Sequence, residues 1–203
     1  MNIGIDLDGV VFDTESAFRS YSQIYDLKIH GQGVVASEEL LAQKRFNWTS
    51  DNTRNFFKEC LSSVHTTAPV FPYARAVLKA IAKRHKIIAI TNRGNLDPYE
   101  IEISNKRLEQ EDIKFDQIVY HASNKLNTCR ELGIDLMIDD LCDTISTLAV
   151  NGFKCFYFRD TVLKNCKHAN ITEVRNWGDI ANELLKLQII TIDDIKDIQG
   201  TDI

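Results

Sequence analysis

Residues 1–13 read MNIGIDLDGVVFD, and this stretch decides the fold class. Its first seven residues form a short, apolar, β-branched run that ends in acidic residues and Gly9. That pattern is typical of a buried strand that runs into a loop. A second run of this kind, KIIAI at residues 86–90, ends in the polar sequence TNRGN. We therefore expect two buried strands whose following loops carry polar side chains.

Strand and helix signals alternate along much of the remaining chain. Further strand candidates lie at residues 117–120, 136–138 and 153–158, and helical periodicity lies at residues 74–84, 98–110, 125–132, 144–150 and 179–187. The alternation from residue 73 to residue 158 predicts right-handed crossovers and a parallel sheet. We therefore predict an α/β fold in which helices flank a parallel sheet.

Residues 16–69 interrupt this alternation. They look helical at residues 37–41 and 52–63, and Pro69 and Pro72 close the interruption. The aromatic side chains of this segment include Phe46, Trp48, Phe56 and Phe57. We predict a small helical cap at residues 16–69, inserted after the first strand into an α/β core formed by residues 1–15 and 70–203.

The composition is that of an ordinary globular protein. The 203 residues suffice for one domain with a modest insertion. Lys and Arg number 24 against 29 Asp and Glu, so the net charge is −5, and the chain lacks a basic run. This charge disfavours polymeric nucleic acid and membrane as partners. The five cysteines include no Cys-x-x-Cys pair, and no stretch approaches the roughly 20 apolar residues of a membrane span, so we expect a reduced, cytoplasmic protein.

Polar residues collect where the predicted strands end. The first strand leads to Asp6 and Asp8, the second to Thr91, Asn92 and Arg93, and the fourth to Asp139 and Asp140, while Lys125 opens the helix before that fourth strand. The carboxyl ends of parallel strands form the binding crevice of an open sheet. Two carboxylates 4 Å apart repel by about 4 kcal/mol at an effective dielectric constant of about 20. A phosphate group beside four carboxylates therefore requires a divalent cation as well as Lys125, and Mg²⁺ fits this oxygen-rich set best.

The ordered set Asp6-x-Asp8-Gly9, Thr91, Lys125 and Asp139-Asp140 resembles the four motifs of the haloacid dehalogenase (HAD) superfamily of phosphohydrolases. The resemblance covers roughly residues 1–160 and implies a Rossmann-like, HAD-like core. It implies that Asp6 is a nucleophile that forms an aspartyl-phosphate. It also implies that Asp8 is the general acid and base, which favours phosphoester hydrolysis over dehalogenation.

The same resemblance implies a phosphate site and a metal site. Thr91 and Lys125 would bind phosphate oxygens, and the adjacent Asn92 is a further candidate. The Mg²⁺ ligands would be Asp6, the backbone carbonyl of Asp8 and Asp140, with Asp139 either a direct ligand or a partner of the ligands. Of Asp139 and Asp140, we favour Asp140 as the direct ligand.

Two subgroups of the superfamily compete for the substrate. The sequence DGVVFD at residues 8–13 looks like that of sugar-phosphate and phosphoglycolate phosphatases, but those carry Lys-Pro at the third motif, where this chain has Lys125-Leu126. Residues 125–140 resemble the 5'(3')-deoxyribonucleotidases and their bacterial relatives. An aromatic cap suits a nucleotide, because stacking a base on an aromatic ring contributes about 1–3 kcal/mol. Phe46 and Trp48 are the candidates for that contact, with the core of the cap as their alternative role, and Arg93 is a candidate for a phosphate or sugar contact.

These observations predict an Mg²⁺-dependent phosphomonoester hydrolase that dephosphorylates (deoxy)nucleoside monophosphates. The first alternative is a small sugar-phosphate or phosphoglycolate-type phosphatase, or a phosphotransferase or mutase on the same scaffold. A catalytically inactive phosphate-binding module and a nucleic-acid 3'-end phosphatase fit less well. The base, the sugar, the 5' or 3' position and the oligomeric state stay open.

Overall fold

One parallel sheet forms the centre of the computed structural model, which describes residues 1–39, 41–159 and 166–196. Its strands are β1 (Asn2–Ile5), β2 (Lys86–Ile90), β3 (Gln117–Val119), β4 (Leu136–Asp139), β5 (Lys154–Phe158) and β6 (Ile171–Val174). They are arranged in the order β3-β2-β1-β4-β5-β6, and every neighbouring pair is parallel. The chain changes direction across the sheet between β1 and β4, and such a reversal opens a crevice at the carboxyl ends of the two strands. The predicted α/β, Rossmann-like fold is confirmed.

Nine helices surround this sheet in the described part of the chain. They are α1 (Thr14–Lys28), α2 (Ala42–Arg45), α3 (Ser50–Thr67), α4 (Ala74–Ala82), α5 (Tyr99–Gln110), α6 (Lys125–Glu131), α7 (Cys142–Val150), α8 (Trp177–Lys186) and α9 (Ile192–Lys196). Helices α5, α6 and α7 connect successive strands, as parallel pairing requires. Within the described ranges, no helix combines the length and apolar character needed to cross a membrane.

Apolar side chains cover both faces of the sheet. Along β2, Ile87 and Ala89 pack into one buried cluster, and Ile88 and Ile90 pack into another on the opposite face. A strand points successive side chains to opposite faces, so this uninterrupted apolar run marks a strand that is buried on both sides. Complete burial of one such isoleucine contributes about 1.5–3 kcal/mol to folding. The burial fixes the strand ends from which the polar loops project.

Helices α1 and α3 pack on each other in the predicted cap segment. Tyr25 of α1 and Phe56 of α3 are buried with ring centroids 5.5 Å apart. The predicted helix at residues 37–41 is wrong, because residues 37 and 38 form a turn, residue 39 has no regular structure and α2 begins at Ala42; residue 40 lies outside the described residues. Arg45 explains the difference, because its Nη1 donates to the carbonyls of Ser37 and Glu39, which a helix would have used internally. The division into a core (1–15 and 70–203) and a cap (16–69) stays a prediction.

Candidate active site

The loop after β1 brings the first motif to the edge of the sheet. The backbone N–H of Asp6 still donates to Ile138 of β4, and the carbonyl of Leu7 then accepts from two residues further along the loop. Gly9 has a φ of +69°, and a Cβ at this position would overlap Oδ2 of Asp140. Only glycine adopts this conformation without strain and lets the Asp140 carboxylate come so close.

Lys125 links the first and the last motif. Its Nζ lies 2.8 Å from Oδ2 of Asp6 and 2.6 Å from Oδ2 of Asp139. The side chain of Asn124 caps α6 by accepting from the backbone N–H of Asn127, which places Lys125 in the first turn of the helix. Burial disfavours the ammonium, but Asp139 and Asp6 outweigh it and raise the pKa of Lys125 well above its usual range. Lys125 is therefore a fixed positive charge on the floor of the site.

Three carboxylates share this single lysine. Asp6, Asp139 and Asp140 each offer an oxygen, and these oxygens lie within 4.8 Å of one another. Burial raises the pKa of Asp6 to about 7; Lys125 opposes the shift, and Asp139 and Asp8 add to it. Burial, Asp139 and Asp6 likewise raise the pKa of Asp140 well above its ordinary value. When all three carboxylates are ionised, the cluster carries more negative charge than Lys125 balances, and the raised pKa values of Asp6 and Asp140 reflect that excess.

The three carboxylates are candidate ligands of a divalent cation, although the 4.8 Å within which their oxygens lie is slightly wider than the span of one Mg²⁺ coordination sphere. Mg²⁺ binds oxygens at about 2.1 Å, so two oxygens of one coordination sphere lie up to about 4.2 Å apart. Asp139 uses Oδ2 for Lys125, and its Oδ1 accepts from the backbone N–H of Leu141 at 2.8 Å. Asp140 instead lines the cavity described below. The choice of Asp140 over Asp139 as the direct ligand stays a prediction.

Asp8 lies on the other side of the site, paired with Arg93. Oδ1 of Asp8 accepts from Nη2 of Arg93 at 2.7 Å, and Oδ2 accepts from Nε at 3.0 Å. Nε2 of the buried His65 lies 3.8 Å from Oδ1 of Asp8. Burial favours the neutral carboxyl, but Arg93 and His65 outweigh it and hold the pKa of Asp8 well below its usual range. The side chain of Asp8 is 31% exposed and faces the cavity as a carboxylate.

Arg93 is paired with protein groups at the edge of the cavity. All three of its guanidinium nitrogens are engaged, two with Asp8 and Nη1 with Oγ of Ser104 at 2.8 Å. The residue is buried, although it borders the cavity. Its guanidinium is paired with Asp8 and Ser104, and the contact of Arg93 with phosphate or sugar stays a prediction.

Thr91 and Asn92 follow β2, as the second motif requires. Thr91 is completely buried, and its Oγ1 accepts from the backbone N–H of Arg93 at 3.3 Å. Asn92 is exposed, borders the cavity and accepts from the side chain of Asn95. Thr91 is not among the residues that line the cavity. The phosphate-binding roles of Thr91 and Asn92 stay predictions.

A cavity of about 670 Å³ extends from these residues to helices α1 and α3. Phe57, Leu61 and His65 of α3 line it at intervals of four residues, so they form one stripe along the helix, and Phe18 of α1 lies beside them. The ring centroids of Phe18 and Phe57 are 6.2 Å apart. Sequence reasoning missed Phe18, Leu61, His65 and Glu100 as cavity residues, although the stripe on α3 was a signal that could have found three of the residues on that wall.

Phe46 and Trp48 do not line this cavity. Their rings stack on each other with centroids 4.6 Å apart, and Nε1 of Trp48 donates to Oδ1 of Asp26 at 2.7 Å. Trp48 also contacts Phe56 in the packing between the cap helices. Both rings therefore pack against other side chains of residues 16–69, which is the alternative role given above, and stacking of Phe46 and Trp48 on a base stays a prediction.

Known structures share the architecture that positions this site. A HAD family hydrolase from Deinococcus radiodurans, solved with bound phosphate and sodium, superposes with a TM-score of 0.64 at 13% identity, covering 94% of this chain and 97% of that one. The chain has the HAD fold. A second HAD-fold neighbour, from Rhodobacter sphaeroides and solved in complex with xylulose 1,5-bisphosphate, gives a TM-score of 0.58 at 14% identity, covering 87% of this chain and 94% of that one.

Sequence comparison adds a distant relative that is named as a nucleotidase. A nucleotidase from Clostridium acetobutylicum is 20% identical over 182 residues, which make up 89% of this chain and 91% of that protein. No protein-family model matches the chain. The expected resemblance to HAD proteins is confirmed, and the names hydrolase and nucleotidase agree with the enzyme class predicted from the motifs.

Proposed function

We propose that the protein is an Mg²⁺-dependent phosphomonoester hydrolase that works through an aspartyl-phosphate on Asp6. The observation that carries the proposal is the buried cluster of Asp6, Lys125 and Asp139, with Asp140 beside it, at the point where the strand order reverses. This cluster opens into a cavity of about 670 Å³, which is within the usual range for a small-molecule site.

The first half of the reaction transfers the phosphoryl group to the protein. An oxygen of Asp6 attacks the phosphorus, and the bond to the leaving oxygen breaks while a proton carried by Asp8 passes to that oxygen. Lys125, at 2.8 Å from Asp6, neutralises charge that develops on the phosphoryl oxygens. When bound by Asp6, Asp140 and the carbonyl of Asp8, Mg²⁺ supplies further positive charge at the phosphoryl group.

The second half returns Asp6 to its starting state. Asp8 accepts a proton from a water molecule, the water oxygen bonds to phosphorus, and the bond between phosphorus and the Asp6 oxygen breaks. Inorganic phosphate leaves, and Asp8, whose pKa is held low by Arg93 and His65, releases the proton to solvent; it takes up a proton again when the next substrate binds, before it protonates that leaving oxygen. The pairing with Arg93 suits Asp8 for this step, because it keeps the carboxylate ionised before the water arrives.

A nucleoside monophosphate is the substrate class that we favour. Phe18, Phe57 and Leu61 are apolar side chains that line the same cavity as Asp6 and Lys125. An aromatic wall binds the flat face of a nucleobase, and the resemblance of the chain to a nucleotidase supports the same class. We assign the base contact to Phe18 and Phe57 in place of Phe46 and Trp48.

A sugar phosphate is the second candidate, and the opposite wall of the cavity favours it. Asp143, Thr144 and Thr147 of α7 place a carboxylate and hydroxyl groups along that wall, where they can bind sugar hydroxyls. The neighbour solved with xylulose 1,5-bisphosphate shows that the fold accommodates such a molecule in another protein. Phosphotransfer in place of hydrolysis uses the same residues and differs in the acceptor.

Phosphate release from a panel of substrates tests the proposal. The panel contains nucleoside monophosphates, sugar phosphates and phosphoglycolate, assayed with Mg²⁺ and with a chelator, and Asp6→Asn is the inactive control. We expect metal-dependent release that is fastest with nucleotides. Release from sugar phosphates alone would select the second candidate, and release by Asp6→Asn at the wild-type rate would refute the mechanism. Transfer to added alcohols or sugars, measured in parallel, separates a transferase from a hydrolase.

A further inference from the structure

Arg93 and Asp8 form a bidentate pair, called the fork below. Nε and Nη2 of one guanidinium bind the two oxygens of one carboxylate, at 3.0 and 2.7 Å. Two parallel hydrogen bonds fix the plane of a carboxylate, whereas a single bond leaves it able to rotate. A carboxylate offers about four acceptor positions, so two of them remain for a water molecule or a leaving oxygen.

Helix α5 holds Arg93 through both its side chain and its backbone. Oγ of Ser104 accepts from Nη1 of Arg93 at 2.8 Å and donates to the carbonyl of Glu100 at 2.6 Å. The carboxylate of Glu100 accepts from the backbone N–H of Gly94, the residue after Arg93, at 2.8 Å. Arg93, Glu100 and Ser104 are all buried, so these bonds are shielded from competing water.

The cap contributes one residue to the same network. His65 of α3 lies between the two acidic side chains, with Nδ1 at 3.4 Å from Oε1 of Glu100 and Nε2 at 3.8 Å from Oδ1 of Asp8. Asp8 is thus confined on one side by Arg93 and on another by His65. Its remaining open side is the cavity.

We propose that Arg93, braced by Ser104 and Glu100, is a positioning residue that orients Asp8 for hydrolysis of the aspartyl-phosphate on Asp6. The proposal rests on the function proposed above. In this step Asp8 takes a proton from water as the water oxygen bonds to phosphorus and the bond from phosphorus to Asp6 breaks. The step needs one acceptor lone pair of Asp8 directed at the water, and the two hydrogen bonds from Arg93 fix the orientation of the carboxylate that carries it. Formation of the aspartyl-phosphate from a substrate with a good leaving group does not need it.

The test uses p-nitrophenyl phosphate with the full-length chain and Mg²⁺. Arg93→Lys keeps the positive charge and removes the fork. Arg107→Lys is the matched control, because Arg107 also lies over the ring of Phe12, at 5.5 Å against 5.3 Å for Arg93, but donates to the backbone carbonyl of Ala68. Ser104→Ala keeps the bidentate pair of Arg93 and Asp8 and removes the hydrogen bond from Nη1 of Arg93 to Oγ of Ser104.

Arg93→Lys is expected to slow hydrolysis of the aspartyl-phosphate about 100-fold, the usual cost of misplacing a catalytic group by about 1 Å. A slower second step lowers kcat and KM together, leaves kcat/KM nearly unchanged, and produces a burst of p-nitrophenolate close to one per active site. Ser104→Ala is expected to shift kcat and KM in the same direction by a smaller factor, and Arg107→Lys is expected to change neither KM nor the burst.

A fall in kcat at constant KM, without a burst larger than that of wild type, would overturn the assignment of Arg93. Equal behaviour of Arg93→Lys and Arg107→Lys would overturn it as well. If Arg93→Lys does not fold, as judged by its thermal transition, Ser104→Ala decides, and an unchanged KM and burst then refute the proposal. Absence of p-nitrophenolate release by the wild-type protein would instead refute the phosphatase function, and the inference with it.

Discussion

Replacing Asp140 with asparagine separates the charge of the carboxylate cluster from its shape. Asp140→Asn keeps the size of the side chain and removes one negative charge within 4.8 Å of Asp6 and Asp139. At that distance and an effective dielectric constant of about 20, one pair of like charges repels by about 3 kcal/mol. Because burial already holds part of the Asp140 population protonated, we expect a gain of about 1–3 kcal/mol in the free energy of unfolding in chelator at neutral pH.

Thermal unfolding with and without Mg²⁺ measures this effect. For a chain of this length, a gain of 1–3 kcal/mol corresponds to a rise in Tm of roughly 2–12 °C. Mg²⁺ at 100 times its Kd stabilises the wild-type protein by about 2.7 kcal/mol, and we expect Asp140→Asn to lose most of that stabilisation together with phosphatase activity.

Asp143→Asn is the control, because Asp143 lies three residues further along and outside the carboxylate cluster. It is expected to keep both the Tm of wild type and its response to Mg²⁺. A lower Tm of Asp140→Asn in chelator, or an unchanged response to Mg²⁺, would contradict the view that this cluster is an unbalanced cation site.

Three further changes probe other parts of the account. Gly9→Ala places a Cβ in a left-handed backbone, at a cost of about 1–2 kcal/mol, and makes it overlap Asp140. We therefore expect a lower Tm and at least a tenfold higher Mg²⁺ concentration for half-maximal activity. Unchanged kinetics would argue against the close approach of Gly9 and Asp140. Phe57→Ala is expected to raise KM for nucleotides about tenfold and to leave KM for methyl phosphate unchanged. Trp48→Ala is expected to lower Tm and to leave both KM values unchanged. A KM for nucleotides that rises in Trp48→Ala and not in Phe57→Ala would instead support stacking of a base on Trp48. In chelator, the folded-state pKa of Asp6 near 7 lies above the unfolded value of 3.8, so the contribution of Asp6 to stability is fully present below pH 4 and is lost as the pH rises to 7. Because the lowered pKa of His65 acts in the opposite direction over this range, the measurement is the difference in urea unfolding free energy between wild type and Asp6→Asn, which is expected to fall by a few kcal/mol; a difference that is flat or rises would contradict the raised pKa.

The sequence predicts the sheet well because its strands are marked locally. A parallel strand that is buried on both faces reads as a continuous apolar run, as in KIIAI at residues 86–90, where prediction and structure agree at both ends. The edge strand β6 carries no such run. Its sequence ITEV is half exposed and includes Glu173, so it resembles a loop, and its strand character depends on pairing with β5.

The charged floor of the site is also predictable from the sequence. Parallel strands bring their carboxyl ends to one edge, so Asp6 after β1 and Asp139 at the end of β4 must approach each other once the sheet forms. Lys125 follows from its place at the start of the helix before β4.

The partners of Asp8 could not be predicted in the same way. Arg93 lies 85 residues away, and a loop arginine has the same local signature whether it contacts a substrate or a neighbouring carboxylate. His65 reaches Asp8 only through the packing of α3 against the core. The aromatic residues that line the cavity could not be predicted for a related reason. Trp48 and Phe57 are equally aromatic, and only the fold determines that Phe57 lines the cavity.

Trapping the phosphoryl group on the protein shows whether Asp6 is the nucleophile. The wild-type protein is mixed with Mg²⁺ and p-nitrophenyl phosphate, quenched in acid within the first turnover, digested and examined by mass spectrometry. We predict that one phosphoryl group is found on the peptide that contains Asp6, and that Asp6→Asn carries none. Turnover by the wild-type protein with a phosphoryl group on another residue, or with none on Asp6 in wild type and in Arg93→Lys alike, would contradict the account.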